Sequence, residues 1–330
     1  MRIFDVVIIG GGPTGLACGI EAAKAGLSYL IVEKGSVTDA IRRFPVNMVF
    51  FSTPELLELD HIPFSTPNTR PTRVEVLQYY RRVVEHRGLS MSLYTEVAAV
   101  QREDREFVLV FRSGERIRAR RVVIATGYFD HTNRLHVPGE DLPHVSHYYD
   151  EPFRYSHTRV AVIGGRNSAV EAALDLYRHG AQVRLIHRKP SLGDSVKYWV
   201  KPDMENRIRN REVQAFFSTV VEEILPSSIR IRHIDTGEVS SLDADFVLAM
   251  IGHRPNEALL RGAGVELHPQ TLIPTYDPAT FETNVEGLYV AGSVACGCET
   301  WNIFIENGRA HAQPIIRHIL EHLSDAVLET

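Results

Sequence analysis

Short apolar runs of strand length alternate along the chain with segments whose apolar positions follow a helical spacing. Residues 6–9 (VVII) and 29–32 (YLIV) are the first two runs, and the segment between them has helical periodicity. The same order recurs at residues 160–163 and 182–186, with a helix predicted from about Asn167. Strand, helix and strand in succession predict a parallel sheet, because a parallel connection needs a crossover. We therefore predict an α/β fold with two Rossmann-like dinucleotide-binding domains.

A glycine motif, G-x-G-x-x-G, joins the first predicted strand to its helix, and the second strand ends in an acid. In this motif the first glycine permits a tight turn and the second lets backbone amides reach a pyrophosphate. The third allows close packing, the acid binds a ribose, and the helix N-terminus adds partial positive charge. The motif predicts a dinucleotide site with the candidate residues Gly10, Gly12, Pro13, Thr14, Gly15, Glu33 and Lys34.

The second glycine motif departs from this pattern in two ways. Arg166 stands where the second essential glycine is usual, so we expect the guanidinium to take part in binding the pyrophosphate. The following strand ends in a basic turn without an acid, which accommodates a 2′-phosphate and favours NADPH over NADH. A solvated basic turn is the alternative. The candidate NADPH residues are Gly164, Gly165, Arg166, Asn167, Ser168, His187, Arg188 and Lys189.

Three further strand-and-turn segments connect the two halves. RRVVIATGY (120–128) leads out of the first unit, DFVLAMIGHRPN (245–256) leads out of the second, and NVEGLYVAGSVA (284–295) returns to the first. This order predicts that the second domain is inserted into the first. We predict an FAD-binding domain from residues 1–126 and 253–330 and an NADPH-binding domain from residues 127–252. Further predicted FAD contacts are Thr126, Gly127, Gly292 and Ser293.

Composition narrows the function classes. The 330-residue chain has a net charge of −5, and a nucleic-acid partner normally calls for a basic face. Its apolar runs are too short for a transmembrane helix, and the N-terminus lacks the cleavage site of a signal peptide. We therefore expect a cytoplasmic protein without membrane association. Three cysteines are too few for a disulfide framework, and the histidine spacing fits no metal site.

The two motifs and the inserted second domain resemble the two-dinucleotide flavoprotein disulfide reductases of low-molecular-weight thioredoxin reductase architecture. The resemblance extends over essentially the whole chain. Thioredoxin reductases carry a redox Cys-x-x-Cys shortly before the second motif, but residues 147–150 read HYYD. The glutathione reductase type carries its cysteines soon after the first motif, and residues 36–60 contain none.

A narrower resemblance accounts for the missing cysteines. The chain is similar to the bacillithiol disulfide reductases, the YpdA family, in the blocks FPVNMVFFSTPELLEL (44–59), RPTRVEVLQYYRRVV (70–84), GGRNSAVEAAL (164–174), VKYWVKPDMENRI (196–208) and NIFIENGR (302–309). This resemblance implies an FAD enzyme without Cys-x-x-Cys that uses NADPH to reduce a low-molecular-weight disulfide, bacillithiol disulfide. It also implies a homo-oligomer and a bacilliredoxin-type protein as a further candidate partner.

Members of that family often have a cysteine in the first glycine loop, where this chain has Thr14. A threonine cannot exchange with a disulfide, which directs attention to Cys296 and Cys298 in GSVACGCETW (292–301). The inferred architecture places them beside the flavin and before a helix starting near Thr300, whose N-terminus would lower a thiol pKa. Two interpretations stay open: a relocated redox thiol or dithiol, and two inert loop residues.

Bacillithiol disulfide carries malate carboxylates, which arginine and lysine side chains would bind. His147 lies where the missing cysteine pair would fall and is a candidate proton donor to a leaving thiolate. For each of these residues an ordinary surface or solvated role is the alternative. The candidate substrate residues are Arg42, Arg43, Arg70, Arg73, Lys197 and Lys201.

Other oxidoreductases use the same pair of motifs. A flavin monooxygenase has phenylalanine, glycine and histidine at fixed spacing before the second motif, whereas this chain has Val137, Gly139 and Pro143. A ferredoxin- or flavodoxin-NADP reductase would need a partner surface that the sequence does not identify. Both stay open as alternatives to a disulfide reductase.

Overall fold

A computed structural model describes residues 3–193 and 195–328 of the protein. The chain forms two compact units: unit 1 runs up to His131 and resumes at His253, and unit 2 is Thr132–Gly252. The sequence placed the first boundary after residue 126. Residues 127–131 stay with unit 1 because Phe129 packs edge-on against Phe44 and Asp130 pairs with Lys34.

The strands and α-helices of the described residues have the following bounds. The strands are β1 (Ile3–Ile9), β2 (Tyr29–Val32), β3 (Met91–Ser92), β4 (Val97–Glu103), β5 (Glu106–Phe111), β6 (Arg116–Ile124), β7 (His131–Thr132), β8 (Val145–Ser146), β9 (Arg159–Ile163), β10 (Gln182–Ile186), β11 (Gln214–Phe216), β12 (Thr219–Leu225), β13 (Ser228–His233), β14 (Val239–Asp243), β15 (Phe246–Ala249), β16 (His253–Arg254) and β17 (Leu288–Val290). The helices are α1 (Pro13–Lys24), α2 (Asp39–Arg42), α3 (Pro54–Leu57), α4 (Arg73–Arg87), α5 (Asn167–Arg178), α6 (Lys201–Arg209), α7 (Glu257–Gly262), α8 (Ile305–Gly308) and α9 (Ala312–Leu328).

Unit 1 is built on a mixed sheet with the strand order β3-β2-β1-β6-β5-β4, and β17 also pairs with β6. Strands β1, β2, β3, β6 and β17 run parallel, while β5 pairs antiparallel with β4 and β6. Ile9 is in register with Val32 and with Ile124, and Ile124 with Val290. The loops that follow these four strands therefore leave the sheet at one edge, which is where parallel sheets bind ligands.

Local sequence signals account for the helix ends in unit 1. Helix α1 begins with Pro13, whose fixed φ suits the first helical position. Helix α4 begins with a capping box, in which Thr72 and Glu75 satisfy each other's backbone amides. It ends at Gly88, whose φ of 57° lies in the left-handed region that glycine adopts without strain.

Unit 2 has a second parallel sheet with the order β11-β10-β9-β15-β8 and a separate antiparallel sheet β12-β13-β14. Ile163 is in register with Ile186 and with Ala249, so the loops after β9, β10 and β15 leave one edge together. The fold is α/β with two Rossmann-like domains, the second inserted into the first. The strands expected at residues 6–9, 29–32, 160–163 and 182–186 are all present.

Each unit has its own hydrophobic core. The clusters around Leu16 and Leu109 contain residues of unit 1 alone, and those around Leu176 and Ile229 contain residues of unit 2 alone. The chain connects the units through two segments, β7 and β16, which pair with each other. Over residues 3–193 and 195–328, no helix is both long and apolar enough to cross a membrane.

Candidate active site

The first glycine loop connects β1 to α1, and its three motif glycines differ in what requires them. A Cβ on Gly10, whose φ is 112°, would overlap the carbonyl of Ala125. One on Gly15 would overlap the carbonyl oxygen of Gly10, so helix and strand pack closely as predicted. A Cβ on Gly12 would meet no atom of the described residues within 4 Å. The space beside Gly12 at the N-terminus of α1 is therefore open to a bound phosphate group.

The acid at the end of β2 fixes this loop. Glu33 is buried and accepts hydrogen bonds from the amides of Gly11 (2.6 Å) and Gly35 (2.8 Å), one on each carboxylate oxygen. Each oxygen keeps a further acceptor position for a ligand hydroxyl. Lys34 forms an ion pair with Asp130 at 2.8 Å, and burial lowers its pKa.

Thr14 lies where three segments meet. A Cβ on Gly292 would be 2.6 Å from Thr14 Oγ1, and one on Gly308 would be 3.2 Å from the same oxygen. The glycine loop, the turn after β17 and helix α8 are therefore in contact at this point. The Thr14 side chain is one wall of this junction, and Pro13 beside it opens the helix.

His311, which the sequence analysis did not single out, holds the turn after β17. Its Nδ1 accepts a hydrogen bond from the amide of Gly292 at 3.2 Å. The ring stacks on Phe281 with centroids 4.0 Å apart, and burial lowers the pKa of His311 to about 4. The imidazole is therefore neutral at physiological pH, with its proton on Nε2. The feature of the sequence that could have pointed to His311 is its position just after the family-like block at 302–309.

The loop after β6 adds an unsatisfied polar group. Thr126 Oγ1 is buried and has no hydrogen-bond partner among the described residues. Gly127 has a φ of 65°, and a Cβ there would be 3.2 Å from Ser293 Oγ. A buried hydroxyl without a partner is uncommon in a protein, and a bound ligand would satisfy it. The open space at Gly12, the carboxylate of Glu33 and the hydroxyl of Thr126 together fit a dinucleotide at this edge.

The two neighbouring cysteines, Cys296 and Cys298, are free thiols in unit 1. Cys296 is buried, and its Sγ donates a hydrogen bond to the carbonyl oxygen of Ser293 at 3.0 Å. Burial raises the pKa of Cys296 to about 11 and also raises the pKa of Cys298. Thiolate, the reactive form, is therefore scarce at both positions near neutral pH.

The helix predicted to start near Thr300 is wrong in position. The chain turns at residues 299–302, and α8 begins only at Ile305. The cause is Asn307, whose side chain accepts from the amide of Phe304 (2.8 Å) and donates to the carbonyl of Asn302 (2.9 Å). The cysteines therefore do not lie directly at a helix N-terminus, which removes the physical reason for expecting a lowered thiol pKa.

In unit 2, atoms of the protein itself occupy part of the space beside the second glycine loop. A Cβ on Gly164, at φ 143°, would overlap the carbonyl of Met250. One on Gly165 would overlap the ring of His187, so this glycine makes room for a side chain of the chain itself. Burial, followed by the charges of Lys189 and Arg188, lowers the pKa of His187.

The other predicted NADPH residues divide into two groups. Arg166 is the N-cap of α5, and it is exposed together with Ser168 and the basic pair that follows β10, Arg188 and Lys189. Asn167 instead holds a loop: it donates to the carbonyl of Ser195 (3.1 Å) and accepts from the amide of Lys197 (2.8 Å). The exposed basic residues at the edge of this sheet can receive an anionic nucleotide.

His147 lies in unit 2. Its Nε2 is 3.4 Å from the carboxylate of Glu140, which is buried and accepts from the amides of Leu135 and His136. Burial lowers the pKa of His147, so the imidazole is mainly neutral near pH 7.

Most of the predicted substrate-binding residues already have partners. Arg42 pairs with Asp39 at 2.8 Å, Arg43 pairs with Asp39 and Asp130, and Arg73 donates to the backbone carbonyl of Arg42 at 2.6 Å. In unit 2, Lys197 pairs with Glu171 at 2.6 Å and Lys201 opens α6. Arg70 is exposed on the loop before α4.

A cavity of about 420 Å³ opens beside α3 in unit 1. Its lining is rich in hydroxyl and amide groups, and none of its eight residues is basic. The predicted basic residues therefore do not line it. The lining residues are Thr53, Pro54, Glu55, Phe64, Ser65, Thr66, Asn68 and Thr69.

Comparison with known proteins identifies the family of the chain. Residues 7–292 match the family model of the pyridine nucleotide-disulphide oxidoreductases. The chain is 39% identical over 313 residues to bacilliredoxin reductase Bdr of Bacillus subtilis (strain 168), covering 95% of this chain and 96% of that protein.

Two solved structures have the same fold over nearly their whole length. Bacillithiol disulfide reductase Bdr (YpdA) from Bacillus cereus has a TM-score of 0.94 and 38% identity, covering 97% of this chain and 100% of that one. The Staphylococcus aureus protein of the same name has a TM-score of 0.93 and 34% identity, covering 98% and 99%.

Proposed function

Because the chain belongs to the pyridine nucleotide-disulphide oxidoreductases, and within them to the bacillithiol disulfide reductases, we propose that it uses NADPH and FAD to reduce bacillithiol disulfide. Family membership makes it a flavoprotein disulfide reductase that uses a pyridine nucleotide. The observation that carries the proposal is the match over 95% of the chain to a bacilliredoxin reductase. Neither a monooxygenase nor a carrier-protein reductase is favoured by these relatives.

Unit 1 supports FAD as the flavin. An adenine dinucleotide needs a pyrophosphate site and a ribose acceptor in one place. The amides at the start of α1 beside Gly12 offer the first, and the carboxylate of Glu33 offers the second. The buried hydroxyl of Thr126 is available to a further polar group of the cofactor.

Unit 2 supports NADPH as the electron donor. Arg188 and Lys189 are exposed immediately after β10, where an acid would select a free ribose hydroxyl. Two cations at this point favour a 2′-phosphate. Arg166 at the N-cap of α5 offers a third positive charge to the pyrophosphate.

The chain's own part in the reaction is to bind and orient. Bound flavin supplies the two-electron chemistry. Thr14 cannot exchange with a disulfide, and burial disfavours the thiolate of Cys296 and Cys298. We therefore propose that neither Cys296 nor Cys298 forms a mixed disulfide with the substrate. The hydroxyl and amide groups of the cavity beside α3 suit the sugar part of bacillithiol disulfide.

The name of the Bacillus subtilis relative includes bacilliredoxin. We propose that a bacilliredoxin-type protein is the functional partner of this enzyme, linked to it by bacillithiol and its disulfide. A homo-oligomeric state stays a prediction of the sequence resemblance.

An anaerobic titration tests the function. One equivalent of NADPH should bleach the visible flavin band, and bacillithiol disulfide should restore it with release of two thiols per disulfide. If the band returned only with air or with an electron-carrier protein, the disulfide reductase would be excluded in favour of a monooxygenase or a carrier reductase.

A further inference from the structure

A carboxyl group of α8 is joined to the segment before α3 by a side-chain hydrogen bond. The buried hydroxyl of Ser52 donates to Oε1 of Glu306. The two residues come from the family-like blocks at 44–59 and 302–309, which are far apart in the chain. Neither residue was among the sequence-predicted site residues.

Helix α8 lies against the loops that form the predicted flavin site. A Cβ on its last residue, Gly308, would be 3.2 Å from Thr14 Oγ1 and 3.3 Å from the Cα of Gly292. Glu306 precedes Gly308 by two positions on α8, the helix that packs against the glycine loop and the turn after β17.

The hydrogen-bond partner of Glu306 adjoins the cavity beside α3. Thr53, Pro54 and Glu55, which directly follow Ser52, form one wall of the cavity beside α3. Ser52 thus connects Glu306 to the segment that lines this cavity.

Arg309 is a cation whose charge acts on Glu306. Burial raises the pKa of the half-buried Glu306, and a backbone hydrogen bond and the charge of Arg309 oppose this only in part. The guanidinium of Arg309 instead donates to the backbone carbonyls of Glu58, Glu55 and Glu306. Tyr80 on α4 is a further titratable neighbour, and burial raises its pKa well above its ordinary value, so it stays neutral.

We propose that Glu306, held by Ser52, donates the proton that disulfide reduction requires at a leaving sulfur. This inference rests on the proposed disulfide reductase function. Reduction puts two electrons into the S–S bond, which breaks and leaves two sulfur atoms that each need a proton. The hydride of NADPH brings two electrons and one proton, and Glu306 supplies the second proton. Solvent then reprotonates the carboxylate, so that NADPH, a proton and a disulfide give NADP⁺ and two thiols.

The test compares leaving groups in Glu306→Gln, in which the amide can still accept from Ser52 but cannot act as the acid. Reoxidation of the reduced enzyme by bacillithiol disulfide should slow by about 100- to 10,000-fold, the usual contribution of a general acid. An aromatic disulfide such as 5,5′-dithiobis(2-nitrobenzoate) releases a thiolate that needs no proton, so the variant should reduce it as fast as wild type. Glu306→Asp should recover part of the rate with bacillithiol disulfide.

Measurements that do not depend on disulfide turnover separate this role from a structural one. FAD content, the visible spectrum and the rate of flavin reduction by NADPH should be unchanged in Glu306→Gln. The wild-type reoxidation rate should fall as pH rises through the pKa of Glu306. The reoxidation rate of Glu306→Gln should not show this decrease. Glu321→Gln, an exposed substitution on α9, is the matched control and should behave as wild type.

The outcomes distinguish the two proposals. If wild type reduces no disulfide, the proposed function fails, and the role of Glu306 fails with it. If wild type reduces an aliphatic disulfide and Glu306→Gln does so equally well at every pH, only the Glu306 inference is overturned. Equal slowing with aliphatic and aromatic disulfides would also overturn it, since that is the pattern of a structural defect.

Discussion

Gly12 and Gly15 belong to one loop but are required for different reasons. Gly15→Ala places a methyl group against the carbonyl of Gly10, so we expect a loss of at least about 1–3 kcal/mol in the free energy of unfolding. Gly12→Ala meets open space with a compatible backbone, so we expect an unchanged melting temperature of the apoprotein and weaker FAD binding. Thermal unfolding and FAD titration of both variants check this. Normal FAD affinity in Gly12→Ala would contradict the proposed phosphate site.

The cysteines are expected to be dispensable for turnover. Cys296→Ser keeps a donor for the carbonyl of Ser293, and Cys298→Ser changes a half-buried loop position. Since burial raises the pKa of both thiols, we expect each variant and the double variant to retain wild-type kcat within about twofold. Steady-state reduction of bacillithiol disulfide measures this. A large loss of activity would restore the redox interpretation of the pair.

At the scale of elements, the end of β10 is expected to set the nucleotide preference. Arg188→Gln removes one cation from the proposed 2′-phosphate site, so kcat/KM for NADPH should fall by about 10- to 100-fold. The value for NADH should change little, because NADH lacks this phosphate. Arg209→Gln at the end of α6, where the guanidinium bonds to Asn206, provides the control. Equal losses with NADPH and NADH would indicate damage to the loop instead.

Helix α4 should contribute a pH-dependent part of the stability. Hydrogen bonds from Thr66 and Thr72 lower the pKa of Glu75 from 4.5 to about 2. A carboxylate whose pKa is lower in the folded state stabilises the fold above the unfolded value, and this contribution is lost as pH falls from about 4.5 towards about 2. Glu75→Ala should therefore cost about 1 kcal/mol at pH 7, since solvent still screens this partly exposed cap.

Urea unfolding at pH 7 and at lower pH measures this difference. The difference in the free energy of unfolding between wild type and Glu75→Ala should become smaller as the solution becomes more acidic. Glu85→Ala, at the other end of the same helix, removes an exposed ion pair with Arg81 and no helix cap. This control should therefore change the free energy of unfolding by less than Glu75→Ala does. If the difference in the free energy of unfolding between wild type and Glu75→Ala stayed constant down to acid pH, the capping argument would be contradicted.

The sequence predicted these elements unevenly, and the reasons are physical. Strands with continuous apolar runs and the Gly10–Gly15 loop follow from local pattern, and they are where expected. The start of α8 could not be predicted, because it depends on the side chain of Asn307 bonding backward to a non-helical residue.

The candidate functional site could be predicted from the sequence only where its residues belong to one continuous segment. The ring of His187 against Gly165, the bond of His311 to Gly292 and that of Ser52 to Glu306 each join segments distant in the chain. No local pattern encodes such contacts. The basic residues proposed for substrate stay a prediction. Asp39, which pairs with Arg42 and Arg43, lies within one helical turn of them in the sequence, whereas Asp130, which also pairs with Arg43, is distant in the chain.

At the scale of the whole molecule, the two cores should unfold separately. Because the core clusters of unit 1 and unit 2 share no residue, we expect calorimetry of the apoprotein to show more than one transition. FAD should raise the melting temperature of one transition and NADP⁺ that of the other, since each ligand stabilises the part that binds it. A single transition raised equally by either ligand would show that the cores unfold as one unit.

The pairing of β7 with β16 has an evolutionary consequence. The chain leaves unit 1 and returns to it through adjacent strands, so residues 132–252 form a cassette with neighbouring ends. Such a block can be inserted, lost or recombined between genes without rethreading the host domain. Exchange of this block between relatives could therefore alter coenzyme preference while the remainder of the enzyme, with its disulfide chemistry, is inherited intact.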